Sequence, residues 1–216
     1  MVPMIKGIIF DLDGVLCTTD EYHYRAWKAL AEREQIHFDR ELYQSLLGIS
    51  RMESLERILE SAGRRETSKK KQQLAEEKNR TYCMLLRQLS PQDVKAEVWQ
   101  TLEELKRHGA RLAVGSSSKN TKRILRQTEL MGWFDAISDG NNITHSKPHP
   151  EVFWKAAQML ELSPEECMVV EDSYAGIEAA CTGGFHSAAI ATAVHDPAAE
   201  YHLKSLWELT DIFCRG

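Results

Sequence analysis

The sequence predicts an α/β fold: a parallel β-sheet flanked by helices, with a separate all-helical segment inserted after its first strand. Two observations lead to this prediction. Short apolar runs alternate with helical patterns over the second half of the chain. Residues 20–89, in contrast, contain no convincing strand and show helical spacing of apolar residues. We therefore expect an α/β core of residues 1–17 and 91–216 and a helical domain of residues 18–90.

The first strand is predicted at Ile5 to Phe10, and the helices of the inserted segment follow it. Gly48 is expected to end the second helix, Ser50 opens a capping-box pattern at the third, and Thr67 or Ser68 is expected to cap the fourth. The four predicted helices are DEYHYRAWKALAERE (20–34), DRELYQSLLG (39–48), SRMESLERILESAG (50–63) and TSKKKQQLAEEKNRTYCMLLRQL (67–89).

From about residue 91, helices alternate with strands, which is typical of βαβ units and a Rossmann-like parallel sheet. The predicted strands are RLAVGS (111–116), FDAISD (134–139), CMVVED (167–172) and HSAAIA (186–191). The predicted helices are AEVWQTLEELKRHG (96–109), SKNTKRILRQTEL (118–130), HPEVFWKAAQML (149–160), SYAGIEAACTGG (173–184) and AAEYHLKSLWELTDIF (198–213). An insertion after the first strand lies at the carboxyl edge of the sheet, where ligands bind in such folds.

The composition argues against several classes of protein. The 216 residues are 43% hydrophobic and 27% charged, with a net charge of −5, so we expect no nucleic-acid partner. No apolar run approaches the roughly 20 residues of a membrane helix, and the first ten residues lack the core of a signal peptide. Five scattered cysteines without a CxxC pair suggest reduced thiols and a cytoplasmic protein. Among the eight histidines we expect no metal-ligand spacing of the HxxxH type and therefore no zinc site.

Two aspartates follow the first strand directly in the stretch GIIFDLDGVL. In an extended chain, Asp11 and Asp13 would point to the same side and repel each other unless a cation neutralised them. Mg²⁺ suits a site with few carboxylates and a substrate phosphate. One carboxylate could attack phosphorus and the other could transfer a proton, while Gly14 lets the backbone turn closely. Alone, the pair is equally well explained as an acidic turn.

Three later stretches strengthen the functional interpretation. In LAVGSSSKN, Ser116 ends a strand and Ser118 could cap the next helix, which would form a phosphate cradle; a plain loop is the alternative. In HSKPHPEVF, Lys147 could neutralise a transferring phosphoryl group, although an ordinary surface lysine would look the same. Glu171 and Asp172 end a further apolar strand and could complete a metal site.

The four stretches DLDGVL, SSSKN, SKPHPE and EDSYAGIEAA resemble, in order, the motifs of the haloacid dehalogenase-like phosphotransferases. The resemblance implies that Asp11 is the phosphorylated nucleophile and Asp13 the general acid/base. It places Ser116 and Lys147 at the phosphoryl group. It further implies a Mg²⁺ ion held by Asp11, Asp13, Glu171 and Asp172.

The helical segment resembles a cap domain of the β-phosphoglucomutase subfamily in the stretches DEYHYRAWKALAE, LLGISRMESLERILE and LAEEKNRTY. That subfamily interconverts β-glucose 1-phosphate and glucose 6-phosphate through a bisphosphate, with the cap excluding water. The resemblance implies that Arg51 grips the distal phosphate. The substrate contacts that it implies are Thr19, His23, Trp27, Gly48, Arg51, Ser54, Lys78, Ser118 and Asn120.

Plainer interpretations of the cap residues remain open. Periodicity alone favours Trp27 as a core residue of the helical domain, and the lysine-rich surroundings of Lys78 indicate a solvated side chain. His23 could be a hinge or surface histidine and Arg51 a surface residue, although a cation is unfavourable at the start of a helix. Cys17 and Thr18 stand where the family usually has a Thr-Asp pair, so an acidic group is missing there.

A small sugar phosphate is therefore the expected partner, with a monomer as the expected state. A sugar phosphatase, a mutase of another sugar such as a disaccharide phosphate, and a non-catalytic binding protein are the alternatives. A hydrolase would need only the core motifs, whereas a mutase would also need the cap residues.

Overall fold

The computed structural model describes residues 5–47 and 49–215, which fall into two compact units. The core unit comprises the chain up to Thr18 and from Ser90 onward, and the helical unit comprises Thr19–Leu89. The helical domain expected from the sequence, residues 18–90, differs from this unit by one residue at each end.

A six-stranded, fully parallel sheet forms the centre of the core unit, with the strand order β3-β2-β1-β4-β5-β6. This is the order of a doubly wound α/β fold, so the predicted fold class is confirmed. The strands are β1 (Gly7–Phe10), β2 (Arg111–Gly115), β3 (Ala136–Ser138), β4 (Cys167–Glu171), β5 (His186–Ala189) and β6 (Tyr201–His202).

The central strands bring the polar strand ends to one edge of the sheet. β1 and β4 are buried along their whole length, as expected for apolar strands covered on both faces. Phe10 pairs in register with Val114 of β2 and with Val170 of β4. The residues that follow Phe10, Val114 and Val170 therefore lie at the same level, at the carboxyl edge of the sheet.

Four α-helices form the described part of the helical unit: α1 (Asp20–Arg33), α2 (Arg40–Gln44), α3 (Arg51–Ser61) and α4 (Ser68–Leu85). Ser50 and Thr67 cap α3 and α4 with their side chains, as predicted. The capping box is incomplete, because the Glu53 carboxylate accepts from Arg57 of the next turn at 3.0 Å.

The predicted second helix is too long. α2 ends at Gln44, and the Ser45 hydroxyl donates back to the Leu42 carbonyl at 2.7 Å, which competes with continued helical bonding. The predicted C-cap, Gly48, lies outside the described residues. One cluster of buried side chains joins all four helices and includes Trp27, Leu55 and Leu74.

Five further α-helices are described in the core unit: α5 (Ala96–Arg107), α6 (Thr121–Gln127), α7 (Glu151–Met159), α8 (Tyr174–Thr182) and α9 (Glu208–Arg215). The prediction of one helix over 198–213 is wrong. Tyr201 pairs with Ala188 as an edge strand, and Leu203 donates to the Ala189 carbonyl at 2.8 Å, so sheet pairing overrides helical preference there.

Among the described residues, no helix is both long and apolar enough to cross a membrane. None of the five cysteines, all of which lie within the described residues, forms a disulfide.

Candidate active site

A buried ion cluster lies at the carboxyl edge of the sheet, where β1 and β4 end. Lys147 enters it from the loop before α7, with its side chain only 4% exposed. Its Nζ atom donates to Asp11 Oδ1 and to Glu171 Oε1. Burial alone would lower the pKa of Lys147, but the two carboxylates raise it above its usual value, so the lysine stays charged. The surface-lysine interpretation is therefore wrong.

Glu171 is held rigidly by the start of α8. Its Oε2 atom accepts the backbone N–H groups of Asp172 and Ser173, each at 3.0 Å, and the Ser173 hydroxyl at 2.9 Å. Gly176 leaves the space for this carboxylate, because a Cβ atom there would lie 2.0 Å from Glu171 Cδ. Both oxygens of Glu171 are thus engaged, one with Lys147 and the other with the helix start.

The chain turns immediately after Asp11. The Asp13 N–H donates to Asp11 Oδ2 at 2.9 Å, and the Gly14 N–H donates to the Cys17 carbonyl at 2.8 Å. The extended geometry expected for Asp11 and Asp13 is therefore wrong. Gly14 is required twice: its φ is +84°, and a Cβ atom would lie 1.9 Å from Asp172 Oδ2. The turn thus brings the Asp172 carboxylate directly against the DxDG backbone.

The carboxylates of this cluster repel one another. Burial raises the pKa of Asp11 to about 6, with Glu171 adding to the effect and Lys147 opposing it. Burial and the charges of Glu171, Asp11 and Asp13 raise the pKa of Asp172 to about 9. One lysine therefore compensates the acidic groups only in part. A donor set of carboxylate oxygens with excess negative charge fits a hard divalent cation.

The serine loop after β2 borders the same sheet edge. Ser116 is buried, and its hydroxyl accepts the Ser118 N–H at 3.3 Å. Ser118 does not cap α6 as predicted: its hydroxyl accepts the N–H of Asn120 at 3.2 Å, and Asn120 occupies the position before the helix. The Ser118 hydroxyl is therefore used within the loop before α6 and does not accept an N–H group of that helix. Ser117, which was not among the candidates predicted from the sequence, has a buried hydroxyl without a hydrogen-bond partner within the described residues.

Cys17 occupies the first position of the departure from the family pattern. Burial, followed by the charges of Asp13 and Asp11, raises its pKa well above the usual value. The thiol therefore stays neutral and does not replace the missing acidic group. Thr18 beside it is exposed.

In the helical unit, α1 and α4 share a second polar cluster. Lys78 of α4 donates to His23 Nδ1 of α1 at 2.6 Å and lies 4.7 Å from the centre of the Trp27 ring. Tyr82, one turn after Lys78, shares a hydrogen bond of 2.8 Å with the hydroxyl of Thr19. Lys78 is 2% exposed, so its interpretation as a solvated residue is wrong.

His23 is neutral in this cluster. Burial and the positive charges of Lys78 and Arg51 hold the pKa of His23 well below its usual value. Since Nδ1 accepts from the ammonium group, the proton of the neutral ring lies on Nε2. Arg51 is the first residue of α3, and burial lowers its pKa.

The remaining cap candidates are placed as follows. Trp27 belongs to the hydrophobic cluster of the helical unit, as periodicity favoured. Ser54 is buried, and its hydroxyl donates to the Ser50 carbonyl at 3.0 Å. Gly48 is outside the described residues. Tyr82 was not among the predicted site residues. The helical spacing of Leu74, Lys78 and Tyr82 places them on one face of α4, and this spacing could have identified both polar residues as buried.

Comparison with known proteins shows similarity over nearly the whole chain. Residues 5–184 match the family model described as haloacid dehalogenase-like hydrolase. The chain is 42% identical over 188 residues to β-phosphoglucomutase of Bacillus subtilis (strain 168), covering 86% of this chain and 83% of the relative. It is 28% identical to a phosphorylated carbohydrates phosphatase of Thermotoga maritima, covering 83% of this chain and 82% of the relative. A crystal structure of β-phosphoglucomutase from Clostridium difficile superposes with a TM-score of 0.91 at 34% identity, covering 98% of this chain and 96% of the other.

Proposed function

The chain belongs to the haloacid dehalogenase-like hydrolase family, and on that premise we propose that it is a Mg²⁺-dependent β-phosphoglucomutase. It is an enzyme, and the reaction is an intramolecular phosphotransfer between β-glucose 1-phosphate and glucose 6-phosphate. The observation that carries the mutase assignment is the 42% identity to the Bacillus subtilis enzyme. The contact of the Lys147 ammonium with Asp11 supports phosphoryl transfer as the chemistry.

Asp11 is the nucleophile of this proposal. Its pKa of about 6 leaves the carboxylate mostly ionised at neutral pH. An Asp11 oxygen forms a bond to phosphorus, and the bond from phosphorus to the sugar oxygen breaks. Asp13 gives its proton to the departing sugar oxygen. In the opposite step a hydroxyl of the sugar monophosphate attacks phosphorus, the bond from phosphorus to Asp11 breaks, and Asp13 takes the hydroxyl proton, which gives glucose 1,6-bisphosphate. Lys147 balances the charge on the transferring group, and Ser116 donates to one of its oxygens.

A metal site fits the acidic residues beside this nucleophile. Phosphomutases of this family generally depend on a metal ion. Asp11, Asp13 and Asp172 would hold Mg²⁺, with Glu171 in support, since its oxygens already bind Lys147 and the start of α8. When bound, the ion neutralises carboxylate repulsion and offsets the negative charge of the phosphate.

The helical unit supplies the groups that bind the substrate's second phosphate and its sugar. Arg51 and Lys78 are cations beside a neutral His23, which suits an anionic ligand. We assign the distal phosphate to Arg51 and sugar contacts to Thr19, His23, Trp27, Ser54 and Lys78, with Ser118 and Asn120 contributing from the core unit. Transfer to a sugar hydroxyl instead of water requires that water be excluded during the reaction.

A phosphorus NMR time course tests this function. β-Glucose 1-phosphate is incubated with the enzyme, Mg²⁺ and a trace of glucose 1,6-bisphosphate. We expect the glucose 6-phosphate signal to replace that of the substrate, with a lag when the bisphosphate is omitted. Accumulation of inorganic phosphate alone would contradict the mutase assignment.

A sugar phosphatase is the second candidate, because the Thermotoga maritima relative is named a phosphorylated carbohydrates phosphatase. A mutase for another sugar, such as a disaccharide phosphate, is the third, since contacts in the helical unit set sugar specificity. Phosphorus NMR separates these two candidates from the first. A phosphatase releases inorganic phosphate from β-glucose 1-phosphate, whereas a mutase for another sugar leaves β-glucose 1-phosphate unchanged and converts only the phosphate of its own sugar.

A further inference from the structure

A second cluster of potential ligands lies on the loop that carries Lys147. His145, His149 and Glu151 each place one ligand atom so that all three atoms lie within 4.8 Å of one another. The expectation that no histidines show HxxxH spacing is wrong, because His145 and His149 are spaced in this way.

The local geometry already brings these groups into contact. His145 Nδ1 lies 3.1 Å from Glu151 Oε2, and the centres of the two imidazole rings are 4.7 Å apart. The Glu151 N–H donates to His149 Nδ1 at 3.2 Å, which orients the ring and engages only one of its two nitrogens. The two histidines are exposed and Glu151 is partly buried at the start of α7.

We propose that His145, His149 and Glu151 bind one divalent transition-metal ion, with Zn²⁺ as its representative. Two imidazoles and one carboxylate form a donor set that suits Zn²⁺, Ni²⁺ or Cu²⁺, whereas Mg²⁺ prefers oxygen ligands alone. Three protein ligands leave one tetrahedral position open for water or an anion.

Binding requires a modest contraction of the cluster. Tetrahedral coordination with bonds of about 2.1 Å places ligand atoms about 3.4 Å apart. The three atoms lie within 4.8 Å of one another, so rotation of the exposed histidine side chains suffices. Lys147 lies between the two histidines in sequence and is itself engaged with Asp11 and Glu171, so it is not a competing ligand.

Charge around the cluster both supports and limits the affinity. Backbone N–H of His145 and the ammonium of Lys155 lower the pKa of Glu151 to about 2, so the carboxylate is ionised at all working pH values. Lys155 Nζ lies 3.0 Å from Glu151 Oε1 and competes with the ion for this residue. We therefore expect binding in the micromolar range, weaker than in a closed structural zinc site.

Calorimetric titration with Zn²⁺, in excess Mg²⁺ that occupies the catalytic carboxylates, tests the proposal. We expect one Zn²⁺ per chain. His145→Ala and His149→Ala should each weaken binding by more than about tenfold. His108→Ala is the matched control, because His108 is an exposed histidine 3.4 Å from a glutamate oxygen, Glu104 Oε1, and should leave the affinity unchanged. Unchanged binding in both test variants would overturn the proposal.

The exposed thiols of Cys181 and Cys214 could bind Zn²⁺ instead. A Cys181→Ser, Cys214→Ser double variant should retain full binding, and loss of binding there would overturn the proposal. Ni²⁺ provides a position-specific readout, because the Trp154 ring lies 5.7 Å from the His149 ring. Ni²⁺ should quench tryptophan fluorescence in the wild type and clearly less in Trp154→Phe; equal quenching in both would place the ion elsewhere.

Discussion

The core unit and the helical unit carry polar clusters of opposite charge. In the core unit, carboxylates outnumber the single buried lysine, and the pKa values of Asp11 and Asp172 rise to about 6 and about 9. In the helical unit, the cations Arg51 and Lys78 surround a histidine whose pKa is held well below its usual value. The first cluster is suited to a metal ion and covalent chemistry, the second to binding an anion. The two units thus differ in the charge character of their polar clusters, and the proposed function assigns a different task to each.

The largest effect is expected from removing Asp11, the proposed nucleophile of the core unit. Asp11→Asn cannot form an aspartyl-phosphate, so mutase turnover and phosphate release should both fall by about 10³-fold or more. Phosphorus NMR measures turnover, and intact-protein mass spectrometry detects the phosphoenzyme. Asp139→Asn, a change in another buried aspartate that follows a strand of the same sheet, is the control. Activity of Asp11→Asn within about tenfold of the wild type would rule out covalent transfer.

The next effect is on the stability of the core unit. Lys147→Met leaves Asp11 and Glu171 buried without their cation, and we expect the free energy of unfolding to fall by about 3–5 kcal/mol in chelator. Urea denaturation measures this change. Lys6→Met removes an exposed lysine that pairs with Glu166, and it should cost about 1 kcal/mol or less. Equal losses of unfolding free energy in the two variants would contradict this prediction, because burial of the Lys147 ion pairs would then add nothing to stability.

Replacing Arg51, one of the two cations in the polar cluster of the helical unit, should separate mutase activity from phosphatase activity. Arg51→Ala should lower mutase turnover by about 100-fold, because a charge-assisted contact to the distal phosphate is lost. Hydrolysis of a small phosphomonoester should change by less than about threefold, since it needs only the core residues. Arg57→Ala on the same helix, at an exposed arginine that pairs with Glu53, is the control. A parallel loss of both activities would contradict the division of function between the units.

The last prediction concerns pH, which should change the stability of the two units in opposite directions when no metal is bound. The raised pKa of Asp172 means that the folded protein binds more protons than the unfolded chain from about pH 4 to about pH 9, so stability falls as pH rises. The lowered pKa of His23 means that the unfolded chain binds more protons below about pH 6.5, so stability falls as pH drops.

Urea denaturation across about pH 5 to 9 in chelator measures both effects. Asp172→Asn should reduce the dependence of the unfolding free energy on pH on the alkaline side of this range. His23→Gln should reduce it on the acid side. Trp27 is the sole tryptophan between Thr19 and Leu89, so its fluorescence change, isolated with Trp27→Phe, reports the helical unit. If Asp172→Asn changed the acid side and His23→Gln the alkaline side, the opposite charge character of the two clusters would be refuted.

Much of the core could be predicted because strand ends are visible in sequence. Apolar runs followed by Asp11, Ser116 and Glu171 identify one sheet edge, and parallel pairing brings them together without further information. Lys147 was ambiguous, because only tertiary packing distinguishes a buried lysine from a surface one. The edge strand at Tyr201 was missed for a similar reason: its pairing partner, Ala188, is supplied by the sheet and not by local sequence.

The helical unit was harder to predict, since its roles came from resemblance and not from spacing. Trp27 was correctly favoured as a core residue from periodicity. Lys78 was assigned to solvent because lysines dominate its neighbourhood, yet the aromatic rings of Trp27 and Tyr82 and the His23 ring accept its charged end in the interior. Helical spacing shows which face a residue occupies, but the partner that makes burial of a charge tolerable comes from another helix.

Glu171 connects the candidate active site to backbone amides whose NMR signals can be followed. One of its oxygens touches the ammonium group that contacts the nucleophile, and the other holds the amides of Asp172 and Ser173. In the proposed reaction Asp11 gains and loses a phosphoryl group, and the accompanying change in charge would reach two peptide protons through this single carboxylate. Those amide resonances would act as a built-in reporter of the catalytic cycle, readable without labelling the substrate or altering the enzyme.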